Sequence, residues 1–264
     1  MKIYLSADIE GTCGIVSWDE TVLEKEDSKI YREQMGKEVA SACIGARSAG
    51  ADEILVKDAH HSARNIDPRI LPEYALLFRG WSRDPLMMMS GLDESFGACL
   101  FTGYHSGAST GGNPLAHTMD TELTYIKVNG EIASEFTLNA YACAYYKVPV
   151  AFLSGDEALC ESAKKLNPNI VTASVNRGYG NGSISVHPNL ATRMIEDGVK
   201  DALSGDISRH LIELPKHFEV EIRYTEAYKA FKASFYPGMK MVDEHTVSYE
   251  TDDYYDVLRM ILFI

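Results

Sequence analysis

The sequence predicts an α/β protein: a mixed, largely parallel sheet flanked by helices, followed by a smaller carboxyl-terminal α+β portion. Three observations carry this prediction. Short apolar runs of buried-strand type alternate with segments of helical period, and several of those runs close on acids or histidines. Beyond Pro215 the texture changes to a compact strand, helix, strand, helix succession. A boundary is therefore expected near residue 212, with 1–212 as the site-bearing α/β domain and 213–264 as a small domain or appendage.

The first strand is Lys2 to Ala7, which is apolar and β-prone, and the extended run should stop at Gly11. Side chains alternate on an extended chain, so Asp8 and Glu10 point to one side and Ile9 to the other. Two adjacent carboxylates repel; a divalent metal between them relieves this, and solvation at a strand end is the alternative. Thr12 to Ser28 reads as a loop. From about Ile30 to Ala49, Met35, Val39, Ala42, Cys43 and Ala46 recur at helical spacing, and Gly50 stands where a cap is wanted. Ile54-Leu55-Val56 is a second strand, ending in Lys57-Asp58-Ala59-His60-His61. Tyr74 to Phe78 is another, Met87-Met88-Met89 begins a helix or packed loop, and Gly97 to Tyr104 is a strand that ends at His105.

The Gly111-Gly112-Asn113-Pro114 loop leads to His117. Asn129-Gly130 between β-prone residues marks a hairpin over Tyr125 to Ile132. Ser134 is placed to cap a helix through Tyr145, with Glu135 in its first turn. Val148 to Leu153 is a strand, and Asp156 then caps a helix from Glu157 to Leu166. After a strand at Ile170 to Val175, Gly178, Gly180 and Gly182 mark a loop before a helix from Asn189 to Leu203. Those glycines lack the spacing of a dinucleotide cradle. The carboxyl-terminal portion reads as a strand at Phe218 to Ile222, a helix from Ala227 to Phe235, a strand from Met239 to Val247 and a last helix from Asp252.

Composition excludes several function classes. With 25 basic and 38 acidic side chains the formal net charge is −13, which disfavours nucleic acid and anionic membrane surfaces as partners. Five cysteines without a C-x-x-C pair suggest neither a disulfide framework nor a thiolate zinc site, and fit a reducing cytoplasm. The amino terminus is too acidic for a signal peptide, and no segment reaches the length of a membrane span.

Open α/β sheets bind ligands at the carboxyl ends of their strands. Here those ends present Asp8 and Glu10, then Asp58, His60 and His61, then His105, with His117 and Glu135 on the following connections. Carboxylate with imidazole suits zinc, manganese or iron, and the lack of usable thiolates favours a catalytic over a closed structural site. His61 should diverge from its neighbour His60, Asp58 is the better partner for a metal-bound imidazole, and Cys13 lacks the companions of a thiol hydrolase.

The ordered set Ser6-x-Asp8-x-Glu10-Gly11, Asp58-Ala59-His60, Gly103-Tyr104-His105, Ala108-Ser109-Thr110, His117 and Glu135-Phe136-Thr137-Leu138-Asn139 resembles the zinc-dependent D-aminopeptidases of the dipeptide-operon type. The resemblance runs from Met1 to about Asp156 and weakens beyond. It implies two zinc ions per subunit bridged by Asp8, with Glu10 and His105 completing the ligands of one and His60 and Glu135 those of the other. His117 matches the family's catalytic histidine. A homo-oligomeric, decamer-like ring is implied too. The implied function is release of amino-terminal, D-configured residues from short peptides or amino-acid amides by metal-activated water. The alternatives are a metal-dependent hydrolase of another amide or acyl bond, and a non-catalytic metal-binding assembly protein.

Overall fold

The first strand sets the layering of the molecule. In a computed structural model describing residues 1–264, β1 (Lys2–Ala7) sends Ile3, Leu5 and Ala7 into one core and Tyr4 into another, following the two-residue period of a strand. Helix α1 (Ser28–Ser48) leads to β2 (Glu53–Asp58), β3 (Ala75–Phe78) and β4 (Ala98–Tyr104). The hairpin of β5 (Leu123–Val128) and β6 (Glu131–Ile132) precedes α2 (Glu135–Tyr145), β7 (Val150–Asp156), α3 (Glu157–Leu166), β8 (Val171–Tyr179), β9 (Gly182–Ser185) and α4 (Pro188–Ala202). The chain closes with β10 (Phe218–Tyr224), α5 (Ala227–Ala233), β11 (Lys240–Asp243), β12 (Thr246–Thr251) and α6 (Tyr254–Phe263).

The first sheet has the order β3-β2-β1-β4-β7-β8-β9 and is parallel up to β8, with β9 antiparallel at the edge. This is the mixed, largely parallel sheet that the alternating pattern predicts. From β1 the chain winds outward through β2 and β3, then returns to place β4 on the other side of β1. The sheet order therefore reverses between β1 and β4, and such a reversal opens a crevice at the strands' carboxyl ends. A second sheet, β11-β12-β10-β5-β6, is antiparallel throughout. Residues 213–264 supply three of its strands, while β5 and β6 come from the middle of the chain.

Helices α1 and α4 pack together over the face carrying Ile3, Leu5, Val56 and Phe152. The opposite face, with Tyr4, Phe101 and Leu153, shares one continuous core with Phe136 of α2, Leu159 of α3, Phe218 of β10 and Tyr254 of α6. The parallel sheet is thus buried on both faces, which explains the unbroken apolar runs of β4 and β7.

Two stretches fold differently from their sequence reading. The loop expected around Gly178, Gly180 and Gly182 is a hairpin: β8 continues to Tyr179, turns through Gly180 at φ 58° and returns as β9. The glycines serve the tight turn between paired strands. The single strand expected from Met239 to Val247 is two, β11 and β12, broken where Asp243 folds its side chain back to accept the His245 amide at 2.8 Å. That turn is made by a side-chain bond and carries no glycine or proline to announce it. The three methionines form one 3₁₀ turn.

Helix α1 also carries a buried acid. Glu38 Oε1 accepts the Cys13 amide at 3.1 Å and the Gln34 side chain at 3.0 Å, while Oε2 has no partner. Burial pushes this carboxyl from 4.5 up to about 7, against the opposing pull of those two donors. The native state therefore holds this proton more tightly than the unfolded chain. The resulting stability is fully present below pH 4.5 and is lost as pH rises through about 7. Relative to wild type, Glu38→Gln should remove roughly 3 kcal/mol of pH-dependent destabilisation across that window. Denaturant midpoints for both proteins at several pH values check this, and parallel pH curves would refute it.

Candidate metal centre

The site is built where the ends of β1, β2 and β4 come together. Beyond β1, the Asp8 amide donates to the Thr102 carbonyl at 2.9 Å and the Gly11 amide to the Gly103 carbonyl at 2.8 Å. The tails of β1 and β4 thus run on side by side. Only glycine allows this: a Cβ on Gly103 would lie 2.2 Å from the Asp8 carbonyl oxygen, and one on Gly11 would lie 1.7 Å from that of Tyr104. Gly103 also sits at φ 69°. The Ala59 amide donates to the Ala7 carbonyl at 2.8 Å and holds the end of β2 alongside.

This arrangement gathers all six side chains expected from the sequence. Asp8 and Glu10 follow the end of β1, in the bend and turn after Ala7, and face the site, while Ile9 lies in the core under α1 and α4. His60 Nδ1 lies 3.3 Å from Asp8 Oδ1 and 3.1 Å from Glu10 Oε2. His105 Nε2 lies 3.4 Å from Asp8 Oδ2 and 3.4 Å from Glu135 Oε2. Glu135 opens α2, whose first turn is capped by Ser134 accepting the Thr137 amide at 3.1 Å. Asp8, Glu10, His60, His105 and Glu135 are all buried. The ligand atoms of Asp8, Glu10 and His105 lie within 4.8 Å of one another, and so do those of His105, His117 and Glu135.

The electrostatics call for a cation. Asp8 Oδ2, both Glu10 oxygens and His105 Nε2 are buried without a hydrogen-bond partner, although such groups normally have one. No lysine or arginine pairs with these acids; their ion-pair contacts are imidazoles alone. Burial pushes the Asp8 carboxyl up, yet the facing imidazoles of His105 and His60 outweigh burial and hold it well below the usual range. Conversely, burial pulls the two imidazoles down, and the surrounding carboxylates raise them well above their ordinary value: Glu10 and Asp8 for His60, Glu135 and Asp8 for His105. Tetrahedral coordination with bonds of about 2 Å sets donors about 3.3 Å apart, close to the 3.3 and 3.4 Å at which Asp8 faces His60 and His105. Oxygen and imidazole donors at that spacing fit zinc.

The remaining ring nitrogens are tied to main-chain carbonyls, His60 Nε2 to Thr21 and His105 Nδ1 to Ser106, each at 3.0 Å. A carbonyl only accepts, so these bonds leave His60 Nδ1 and His105 Nε2 as the atoms offered to a metal. His117 stacks on His105 with ring centroids 4.2 Å apart and planes 7° from parallel. Its Nδ1 is bound to the Leu115 carbonyl at 2.9 Å, and its Nε2 lies 3.5 Å from Glu135 Oε1. Trp18 presents an edge to the His117 ring at 5.1 Å. A cavity of about 350 Å³ opens over this cluster, walled by Trp18, Trp81, Met88, Met119 and Asp120.

One expected partner is corrected. Asp58 does not touch the His60 ring; it accepts the amides of Asn65 at 2.6 Å and Ile66 at 2.8 Å and the Asn65 side chain at 2.9 Å. It shapes the loop after β2, and Asn65 in turn donates to the His60 carbonyl at 2.7 Å. The Thr21 carbonyl takes the role expected of Asp58. His61 makes none of the ligand contacts and lines the cavity wall. Cys13 is buried, donates to the Val186 carbonyl, and burial beside Glu38 pushes its thiol up to about 12, so it is no nucleophile. The cavity walls Trp18 and Trp81, the Thr21 carbonyl, and the buried Asn113 and Asp156 were not expected at the site.

An α/β fold that collects unpaired acids and imidazoles at its switch point defines a metal-binding protein of the hydrolytic kind. This chain belongs to the D-aminopeptidase family, whose model matches residues 1–263. It is similar to a D-aminopeptidase of Bacillus subtilis (strain 168), with 30% identity over 266 residues, covering 99% of this chain and 96% of that protein. Its structure is similar to that of the Zn-dependent D-aminopeptidase DppA from Bacillus subtilis, described as a self-compartmentalizing protease. That match has a TM-score of 0.91 and 28% identity, and covers 99% of this chain and 96% of the other.

The close approach at Gly103 yields a direct test. Gly103→Ala should force β1 and β4 apart at Asp8, destabilise the fold by about 2 kcal/mol or more, and abolish zinc retention. Thermal denaturation and elemental analysis check both effects, and a variant that keeps wild-type zinc content would contradict the account.

Proposed function

We propose that this protein is a zinc aminopeptidase that releases amino-terminal residues, of D configuration, from short peptides or amino-acid amides. The observation that carries this reading is the buried set of Asp8, Glu10 and His105 atoms without partners, facing His60 and Glu135 under a substrate-sized cavity. Family membership supports the same reading. Asp8 would bridge two zinc ions, Glu10 and His105 completing one set of ligands and His60 and Glu135 the other. When bound, zinc supplies a water acidified toward neutrality and a Lewis acid for the scissile carbonyl.

The chain's own residues do the rest. The Leu115 carbonyl holds the His117 Nδ1 proton, so Nε2 is the nitrogen that exchanges a proton with the reacting groups. Stacking on His105 fixes the plane of that ring. Trp18 and Trp81 wall the cavity, and about 350 Å³ suits a small substrate. The acidic site and the net charge of −13 attract a substrate ammonium. No helix is long and apolar enough to cross a membrane, and five free, buried cysteines suit a reducing cytoplasm.

We also infer assembly into a ring of identical subunits. Tyr228, Phe231 and Phe235, on and just after α5, are 66%, 60% and 74% exposed, and Met241 and Val242 are exposed on the edge strand β11. Phe231 and Phe235 lie against each other with ring centroids 5.1 Å apart, and contiguous exposed apolar surface of this kind marks a contact surface.

Wild type should carry close to two zinc ions per subunit, falling sharply in Asp8→Ala. His117→Ala should keep its zinc and lose about 10²–10⁴-fold in kcat/KM on a D-aminoacyl amide. Elemental analysis with steady-state kinetics decides this. A zinc-loaded protein that cleaves another acyl bond and no aminoacyl substrate would overturn the proposal, as would an undiminished His117→Ala. For assembly, Phe231→Glu combined with Phe235→Glu should reduce the particle mass in analytical ultracentrifugation with zinc content unchanged; an unaltered mass would exclude that surface.

A further inference from the structure

Asp156 ends β7, is fully buried, and is held by hydrogen bonds from uncharged groups. Capping α3 occupies only part of its capacity: Oδ1 accepts the Leu159 amide at 2.9 Å. The same carboxyl reaches across to the end of β4, where Oδ2 accepts the Ser106 amide at 2.6 Å and Oδ1 accepts the Ser106 hydroxyl at 2.5 Å. Ser106 is the residue whose carbonyl holds His105 Nδ1. A third reach is through Asn113, whose side-chain amide donates to Asp156 Oδ2 at 3.4 Å and to the Glu10 carbonyl at 3.1 Å. The loop carrying Asn113 is pressed onto this network, for a Cβ on Gly112 would lie 2.2 Å from Ser106 Oγ and 3.1 Å from Asp156 Oδ1.

Every partner of Asp156 is a donor, so the position requires a group that only accepts. We propose that Asp156 is a positioning residue for the metal centre: through Ser106 it orients His105, and through Asn113 it fixes the main chain at Glu10. This rests on the proposed zinc site, and it concerns the one ion assigned to both Glu10 and His105. Outer partners of metal ligands typically contribute 10–100-fold in metal affinity. Helix capping alone predicts something else: lower stability with unchanged zinc binding.

The test is zinc affinity by chelator competition on the full-length protein, paired with the visible spectrum of the cobalt-substituted form and the thermal midpoint of the metal-free form. Asp156→Asn sets an amide against donors; it should weaken one zinc 10–100-fold, leave the other within about threefold, and change the cobalt spectrum. Asn113→Ala, which leaves the α3 cap intact, should weaken the same ion about tenfold and serves if Asp156→Asn does not fold. Two zinc ions bound at wild-type affinity with an unaltered cobalt spectrum in either folded variant would overturn the positioning role while leaving the zinc site standing. A wild type that binds no zinc removes the metal reading and this role with it.

Discussion

Two buried carboxylates stand side by side at the end of an interior strand, and the structure around them answers the charge they create. Asp8 and Glu10 have neither solvent nor a lysine or arginine to neutralise them. Burial of unpaired charge costs several kcal/mol per group, so the pair persists only where something positive is held beside it. His60 and His105 are brought to that place by the neighbouring strands, one on each side of β1. The parallel topology is therefore a condition of the chemistry. It stacks three carboxyl ends at one edge, and the reversal between β1 and β4 leaves the space between them.

The second sheet closes that space from the other side. Its hairpin ends directly in Ser134 and Glu135, so β5 and β6 aim the start of α2 at His105. Thr118 Oγ1 accepts the Ala108 amide and donates to the Ala133 carbonyl, both at 3.0 Å, fastening the His117 loop to the same hairpin. Because β10 pairs with β5, the carboxyl-terminal strands brace this wall although they carry no site residue. A boundary near residue 212 separates the chain by texture, while the sheet joins it across that point.

Two residues of the cavity wall hold a strained backbone. His61 and Met119 adopt φ of 43° and 65° without being glycine, each costing of order 1 kcal/mol. Met119 shows what that strain accomplishes: its amide donates to Glu135 Oε1 at 2.7 Å, orienting the carboxylate whose other oxygen faces His105. Glycine is used instead where the approach is too close for any Cβ, at Gly11, Gly103 and Gly112.

What the sequence determined by itself is the set of elements and their chemistry. The strand from Lys2 to Ala7, the helical spacing from Met35 to Ala46, the Asn129-Gly130 turn and the Ser134 cap depend on residues a few positions apart, and each leaves a mark in the chain. The metal-competent residues were legible for the same reason, as polar clusters closing apolar runs. Tertiary structure alone decided that these clusters converge, that β5 and β6 share a sheet with the carboxyl-terminal strands, and that a turn falls between Asp243 and Thr246. It also decided which atoms orient the imidazoles. The Thr21 and Ser106 carbonyls do so, and a main-chain carbonyl is common to every residue type, so no sequence pattern could distinguish it from its neighbours. Asp156 was readable as a helix cap because capping is local; its hold on Ser106, fifty positions away, exists only once β4 and β7 lie side by side.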